Sequence, residues 1–160
     1  MFKTIENYFR DQGWPINQHP EKPILRIEYE GDHGRWFCYA RINERSNQFI
    51  FLSIASVKVP EDRRKEMAEY LTRANFGLNI GNFEMDFNDG EVRYKTSIDY
   101  TYQSLTSELI DPLIKANFVA MNDYLPGVES VIAGDTTAQE AIEETMRRIQ
   151  EEEDGYDLIL

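Results

Sequence analysis

Cysteine and histidine are almost missing from this chain: Cys38, His19 and His33 are its whole stock in 160 residues. A lone cysteine cannot close an internal disulfide, so the fold must rest on its core, as in a reducing compartment. The three residues match no zinc-ligand spacing, and no metal or cofactor site is expected from them. Long apolar runs are missing too, since none approaches the ~20 residues of a membrane helix. The start, Met1-Phe2-Lys3-Thr4-Ile5-Glu6-Asn7-Tyr8, has no signal-peptide apolar segment. A cytoplasmic protein that binds no membrane is expected. Positive charge is scarce: 17 Lys and Arg face 29 Asp and Glu, for a net charge of -12. Such a field repels phosphate backbones, so nucleic acid is not an expected partner.

Aromatic residues are plentiful, with nine Phe, nine Tyr and two Trp, which is the stock of a globular core. Phe2, Ile5, Tyr8 and Phe9 recur at helical spacing and predict a short helix ending near Gln12. Asn17 to Pro23 reads as an irregular connector, because His19-Pro20 and Lys22-Pro23 disfavour helix before each proline. Three strands follow, Ile24 to Glu30, Arg35 to Ile42 and Gln48 to Ser56, with short loops that suit antiparallel neighbours. In the second, Trp36, Cys38, Ala40 and Ile42 share one face while Phe37, Tyr39 and Arg41 share the other. The third is apolar on both faces, as a strand covered on both sides would be, or one covered on one side and docked to a partner on the other.

Val59-Pro60-Glu61-Asp62 opens a helix that should stop at Asn75-Phe76-Gly77, with Met67, Ala68, Leu71 and Ala74 inward. Gly81 to Phe87 and Glu91 to Tyr100 alternate around Asn88-Asp89-Gly90 and predict a hairpin. A helix from about Thr106 to Tyr124 comes next, with Pro112 near its start, then a short turn or helical piece from Val128 to Ala133 ended by Gly134. The last helix begins on the capping box Thr137-Ala138-Gln139-Glu140. Two arginines meet nine acids in residues 135–160, and Glu151 to Asp154 lie at the negative helix end, where the helix should fray. The order α-β-β-β-α-β-β-α plus a C-terminal helix predicts an α+β fold: an antiparallel five-stranded sheet with helices packed on it. Residues 1–134 form the domain and residues 135–160 an acidic appendage.

No group of residues makes a catalytic constellation. Glu84 and Asp86 share a strand face and suit metal or acid/base work on paper, but Arg93 and Lys95 on the return strand predict cross-strand ion pairs instead. Gly77, Gly81 and Gly90 lead into strands, whereas a phosphate cradle leads into a helix. His19 and His33 read as solvated loop residues and Cys38 as a small buried hydrophobe. Binding is the better expectation. Phe37, Tyr39 and Phe51 are candidates for a sheet face that the helices leave uncovered. Ile142, Met146 and Ile149 line the last helix, which either docks on its own domain or engages a second copy or another protein. The alternative is a small-ligand sensor or enzyme with a pocket between helices and sheet, using Tyr94, Tyr100 or Tyr102.

The run Arg73-Ala74-Asn75-Phe76-Gly77, then Ile80-Gly81-Asn82-Phe83-Glu84, then Asp89-Gly90-Glu91-Val92-Arg93-Tyr94, resembles the bacterial YbjN-domain family. Val59-Pro60-Glu61 and Gly13-Trp14 stand where that pattern has them, and the resemblance covers about Phe2 to Gly134. It implies a domain similar to type III secretion chaperones, which bind partner proteins and commonly form homodimers, in a family described as sensory transduction regulators. It brings no catalytic, cofactor or metal residues. The expectation is a non-catalytic protein-interaction module.

Overall fold

The computed structural model describes residues 1–157, with side chains to residue 155. One antiparallel sheet runs through it, built from β1 (Ile16–Gln18), β2 (Ile24–Gly31), β3 (Gly34–Asn43), β4 (Gln48–Ala55), β5 (Asn82–Met85) and β6 (Val92–Asp99), in the spatial order β1-β2-β3-β4-β6-β5. The sheet therefore has six strands where five are expected from the sequence. The extra one is β1, inside the presumed connector: Ile16 lies opposite Ile27 and Gln18 opposite Leu25, so the edge of β2 supplies hydrogen bonds that the local sequence does not advertise.

Four helices cover one side: α1 (Phe2–Asp11), α2 (Arg64–Gly77), α3 (Ser107–Ala133) and α4 (Ala138–Asp157). The buried cluster draws the same parity from each long strand, Leu25 and Ile27, Trp36 to Ile42, Phe49 and Phe51, Val92 and Tyr94. Phe51 stacks on Phe9 of α1 and meets Phe118 of α3 edge-on, with centroids 6.0 and 5.4 Å apart. Trp14 stacks on Tyr29 and Phe118 and closes the end of α1. Asn117, fully buried, pins α3 to the strands: its Nδ2 lies 3.2 Å from the Phe51 carbonyl oxygen and 3.2 Å from Thr96 Oγ1.

The hairpin β5-β6 forms as the alternation predicts, with Glu84 opposite Arg93. Gly90, at φ 78°, is held against the segment before α2, where an added Cβ would stand 2.1 Å from the Val59 carbonyl oxygen. The free edge of β5 is closed by α2. Asn75 Oδ1 accepts from the Phe83 N–H at 2.7 Å and its Nδ2 donates to the Phe83 carbonyl at 3.1 Å, so a side chain replaces a neighbouring strand.

α3 differs from expectation in being one helix of 27 residues, continuous through Pro126 and Gly127. Proline removes the N–H that should serve the Asn122 carbonyl. His33 Nδ1, from the two-residue turn between β2 and β3, lies 3.1 Å from that oxygen. The next two carbonyls also take outside donors: Arg148 donates to Asp123, and the Tyr70 hydroxyl donates to Tyr124 at 3.0 Å. His33 is thus no solvated loop residue. α4 opens on the expected capping box, with Glu140 accepting from the Thr137 N–H at 2.8 Å and Thr137 Oγ1 from the Glu140 N–H at 3.2 Å. It continues to Asp157, past the acids expected to fray it, with Arg147–Glu151 and Arg148–Glu152 pairs along its last turns. The end of the tail, residues 158–160, lies outside the described residues.

Candidate functional site

The helix-free face of the sheet is formed by the other parity of the same strands. Strand register sets out its rows: Arg26, Tyr39, Leu52 and Lys95 in one, Glu28, Phe37, Ile54 and Arg93 in the next, and Ile24, Arg41, Ile50 and Ser97 on the other side. An apolar stripe, Phe37, Tyr39, Ile50, Leu52 and Ile54, therefore crosses β3 and β4 between flanks of long cationic side chains. None of the five belongs to the helix-side core.

Ile50 and Leu52 are nevertheless only 9% and 7% exposed. The described helices pack on the other side of the sheet, and the residues beside these two in register are Arg41 next to Ile50, and Tyr39 and Lys95 next to Leu52. Arg26 lies over a ring of the stripe, its guanidinium carbon 4.4 Å from the Phe37 ring centroid. A surface covered by side-chain stems can be uncovered by rotamer changes alone, without backbone movement.

Among the residues expected at a partner surface, Phe37 and Tyr39 lie together on this face, half-buried. Phe51 does not join them. It pairs with Ala40 and so points to the helices, fully buried. Ile50, Leu52 and Ile54 take its place; their signal was the doubly apolar run, and only the register of β4 against β3 says which half points outward. On α4, Ile142 and Ile149 pack against the core and Met146 is half exposed, its sulfur 3.7 Å from the Tyr124 hydroxyl.

At the rim, Glu84 accepts from Arg93 Nε at 2.8 Å and from Lys95. Burial disfavours the charged carboxylate, but these donors outweigh it and hold Glu84 below its ordinary pKa. Asp86 is not its partner, because it has left the strand to cap the turn, accepting from the Asn88 N–H at 2.8 Å. Cys38 lies on the helix side, fully buried, and burial pushes its thiol up to about 12, which leaves no thiolate for chemistry at neutral pH. Among the described residues no group of three or more His, Cys, Asp and Glu is placed to hold a metal ion, and no helix is long and apolar enough to cross a membrane. Tyr94 is buried and donates to the Ile80 carbonyl, Tyr100 is buried, and Tyr102 is fully exposed, so the three tyrosines do not converge on one pocket.

The family model described as "Putative bacterial sensory transduction regulator", YbjN, matches residues 2–130. The fold is similar to the crystal structure of YbjN, "a putative transcription regulator from E. coli", at TM-score 0.58 and 11% identity over 76% of this chain and 86% of that one. A crystal structure of the ExsC-ExsE complex matches at TM-score 0.46 and 13% identity, over 74% of this chain and 85% of that one. No curated protein matches the chain significantly.

Proposed function

The chain belongs to the YbjN family, and from that premise we propose that it is a non-catalytic docking module that presents the helix-free sheet face to a partner protein. The observation that carries this reading is the stripe of Phe37, Tyr39, Ile50, Leu52 and Ile54, which no helix among the described residues covers. A soluble protein keeps such a continuous apolar strip when something else buries it for part of the time. Arg26, over the Phe37 ring, and Arg41, beside Ile50, shelter the strip in the unbound state until a partner displaces them. Their charged heads then remain at the border as the polar rim of an interface. The partner is a second copy of the chain or another cytoplasmic protein. A small-ligand pocket between helices and sheet is the weaker reading, because Phe9, Trp36, Phe51 and Phe118 fill the centre of that space and leave only an open hollow of about 220 Å³ at its edge, between Tyr29 and Asp32 on one side and Phe118 and Asn122 on the other.

The test is affinity capture from a bacterial lysate with the full chain, beside the double variant Phe37→Ala/Leu52→Ala, with light scattering on both. Loss of captured proteins, or of a dimer, in a variant that still melts cooperatively supports the docking face. Identical capture and mass for the two proteins, or a wild type that stays monomeric and captures nothing, overturns it.

A further inference from the structure

The cations of the helix-free face are divided unevenly between its two flanks. On the β5-β6 flank Arg93 and Lys95 are both tied to Glu84, and near the β2-β3 turn Arg35 pairs with Glu30 at 2.9 Å. Their charge is answered within the chain. On the β2-β3 flank Arg26 and Arg41 are exposed, and neither has an ion-pair partner among the described residues. Arg26 shares a register row with Asn17 and Tyr39, and Arg41 shares the next with Ile24 and Ile50.

Two hollows open beside these arginines and meet at Ile24. One, of about 190 Å³, lies over β2 against Asn17, Arg26 and Tyr39. The other, of about 380 Å³, lies where β2 begins and β3 ends, against Lys22, Arg41 and Arg45, with Glu44 as the one carboxylate on its wall. Four cations therefore border the two hollows against one acid, in a chain whose acids outnumber its Lys and Arg by 29 to 17. This local reversal of sign is no aid to solubility, which the negative net charge already supplies. Each unpaired guanidinium keeps a planar fork of donors free, the geometry that suits a carboxylate.

On the footing of the docking role proposed above, we infer that this corner of the open face takes an extended acidic segment of a partner protein, in which Asp or Glu alternates with apolar residues. Carboxylates pair with Arg26 and Arg41, and apolar side chains enter the hollows on either side of Ile24. Alternate residues of an extended segment stand roughly 6.5–7 Å apart, the same interval as successive outward residues of a strand. A segment laid along β2 therefore keeps step with Ile24 and Arg26. A second copy of the chain, meeting face to face, brings arginine toward arginine and is disfavoured.

Fluorescence anisotropy tests this with the full chain and a labelled synthetic decapeptide that alternates Glu with Leu and Phe. The wild type should bind the peptide, and Arg26→Glu/Arg41→Glu should weaken binding at least about tenfold. Lys3→Glu/Lys65→Glu makes the same change in net charge at exposed sites on α1 and α2, and should weaken it less than about threefold. Equal weakening by the two pairs assigns binding to overall charge and overturns the inference. So does a wild type that ignores the peptide, or one that light scattering shows to be a dimer which the peptide does not dissociate. If Arg26→Glu/Arg41→Glu does not fold, Arg26→Gln/Arg41→Gln removes the same two charges and is compared with Lys3→Gln/Lys65→Gln in the same way. Failure of the docking face reads differently from failure of the acidic preference. A peptide that Phe37→Ala/Leu52→Ala holds as tightly as the wild type strikes the face and the inference with it; one that this variant releases but Arg26→Glu/Arg41→Glu retains strikes the acidic preference alone.

Discussion

The two faces of β4 are made of the same kind of residue and meet opposite fates. Phe49, Phe51 and Ala55 point to the helices and join the core, with Phe51 set between the rings of Phe9 and Phe118; Ile50, Leu52 and Ile54 point outward, away from the described helices. Inside, complementary shape fixes every side chain, so stability is concentrated there. Outside, no described helix packs on the apolar area, and the proposed docking face lies there. A single strand thus sends half of its side chains into the core and half to the face proposed for docking.

Substitutions along β4 sharpen that division. Phe51→Ala should lose about 3–5 kcal/mol of stability in urea unfolding, since it empties a site between Phe9 and Phe118. Leu52→Ala, one residue away, should lose roughly 1 kcal/mol or less, because no packed layer lies above it. A loss as large as that of Phe51→Ala would show the outer face to be structural. Glu84→Gln at the rim should cost roughly 0.5–1 kcal/mol, as for a half-exposed ion pair. Glu84 is held below its ordinary value of 4.5, so its ionised form adds stability above that pH, and the contribution is lost as pH falls through the lowered value. Melting curves of the wild type and Glu84→Gln should therefore converge on acidification. Arg26→Ala should change stability by less than about 0.5 kcal/mol while raising the exposure of Phe37, visible as stronger binding of an apolar dye.

Local signals in the sequence were enough for the hairpin, the capping box of α4 and the stop at Gly134, whose φ is 80°. Each is decided within a few residues by alternation, a side-chain cap or a left-handed turn. What was not legible depended on distant partners. β1 is three residues long and exists because β2 offers it an edge. Pro126 looks like a helix break until His33, from a turn far away in the chain, meets the carbonyl it leaves bare. The outward face was half legible: Phe37 and Tyr39 follow from alternation in β3, whereas the direction of Phe51 depends on how β4 registers against β3, which pattern within one strand cannot reveal.

The three carbonyls of Asn122, Asp123 and Tyr124 have a consequence for the order of events in folding. Their outside donors, His33, Arg148 and Tyr70, stand 89, 25 and 54 residues away along the chain. The first half of α3 needs none of them and can form early, with neighbours supplied by its own turns. The half beyond Pro126 must wait for the β2-β3 turn, α2 and α4 to arrive, so consolidation there is a late step limited by long loop closures. Pulse-labelled exchange during refolding should show amides before residue 122 protected ahead of those after residue 127, and simultaneous protection of the two halves would refute this sequence.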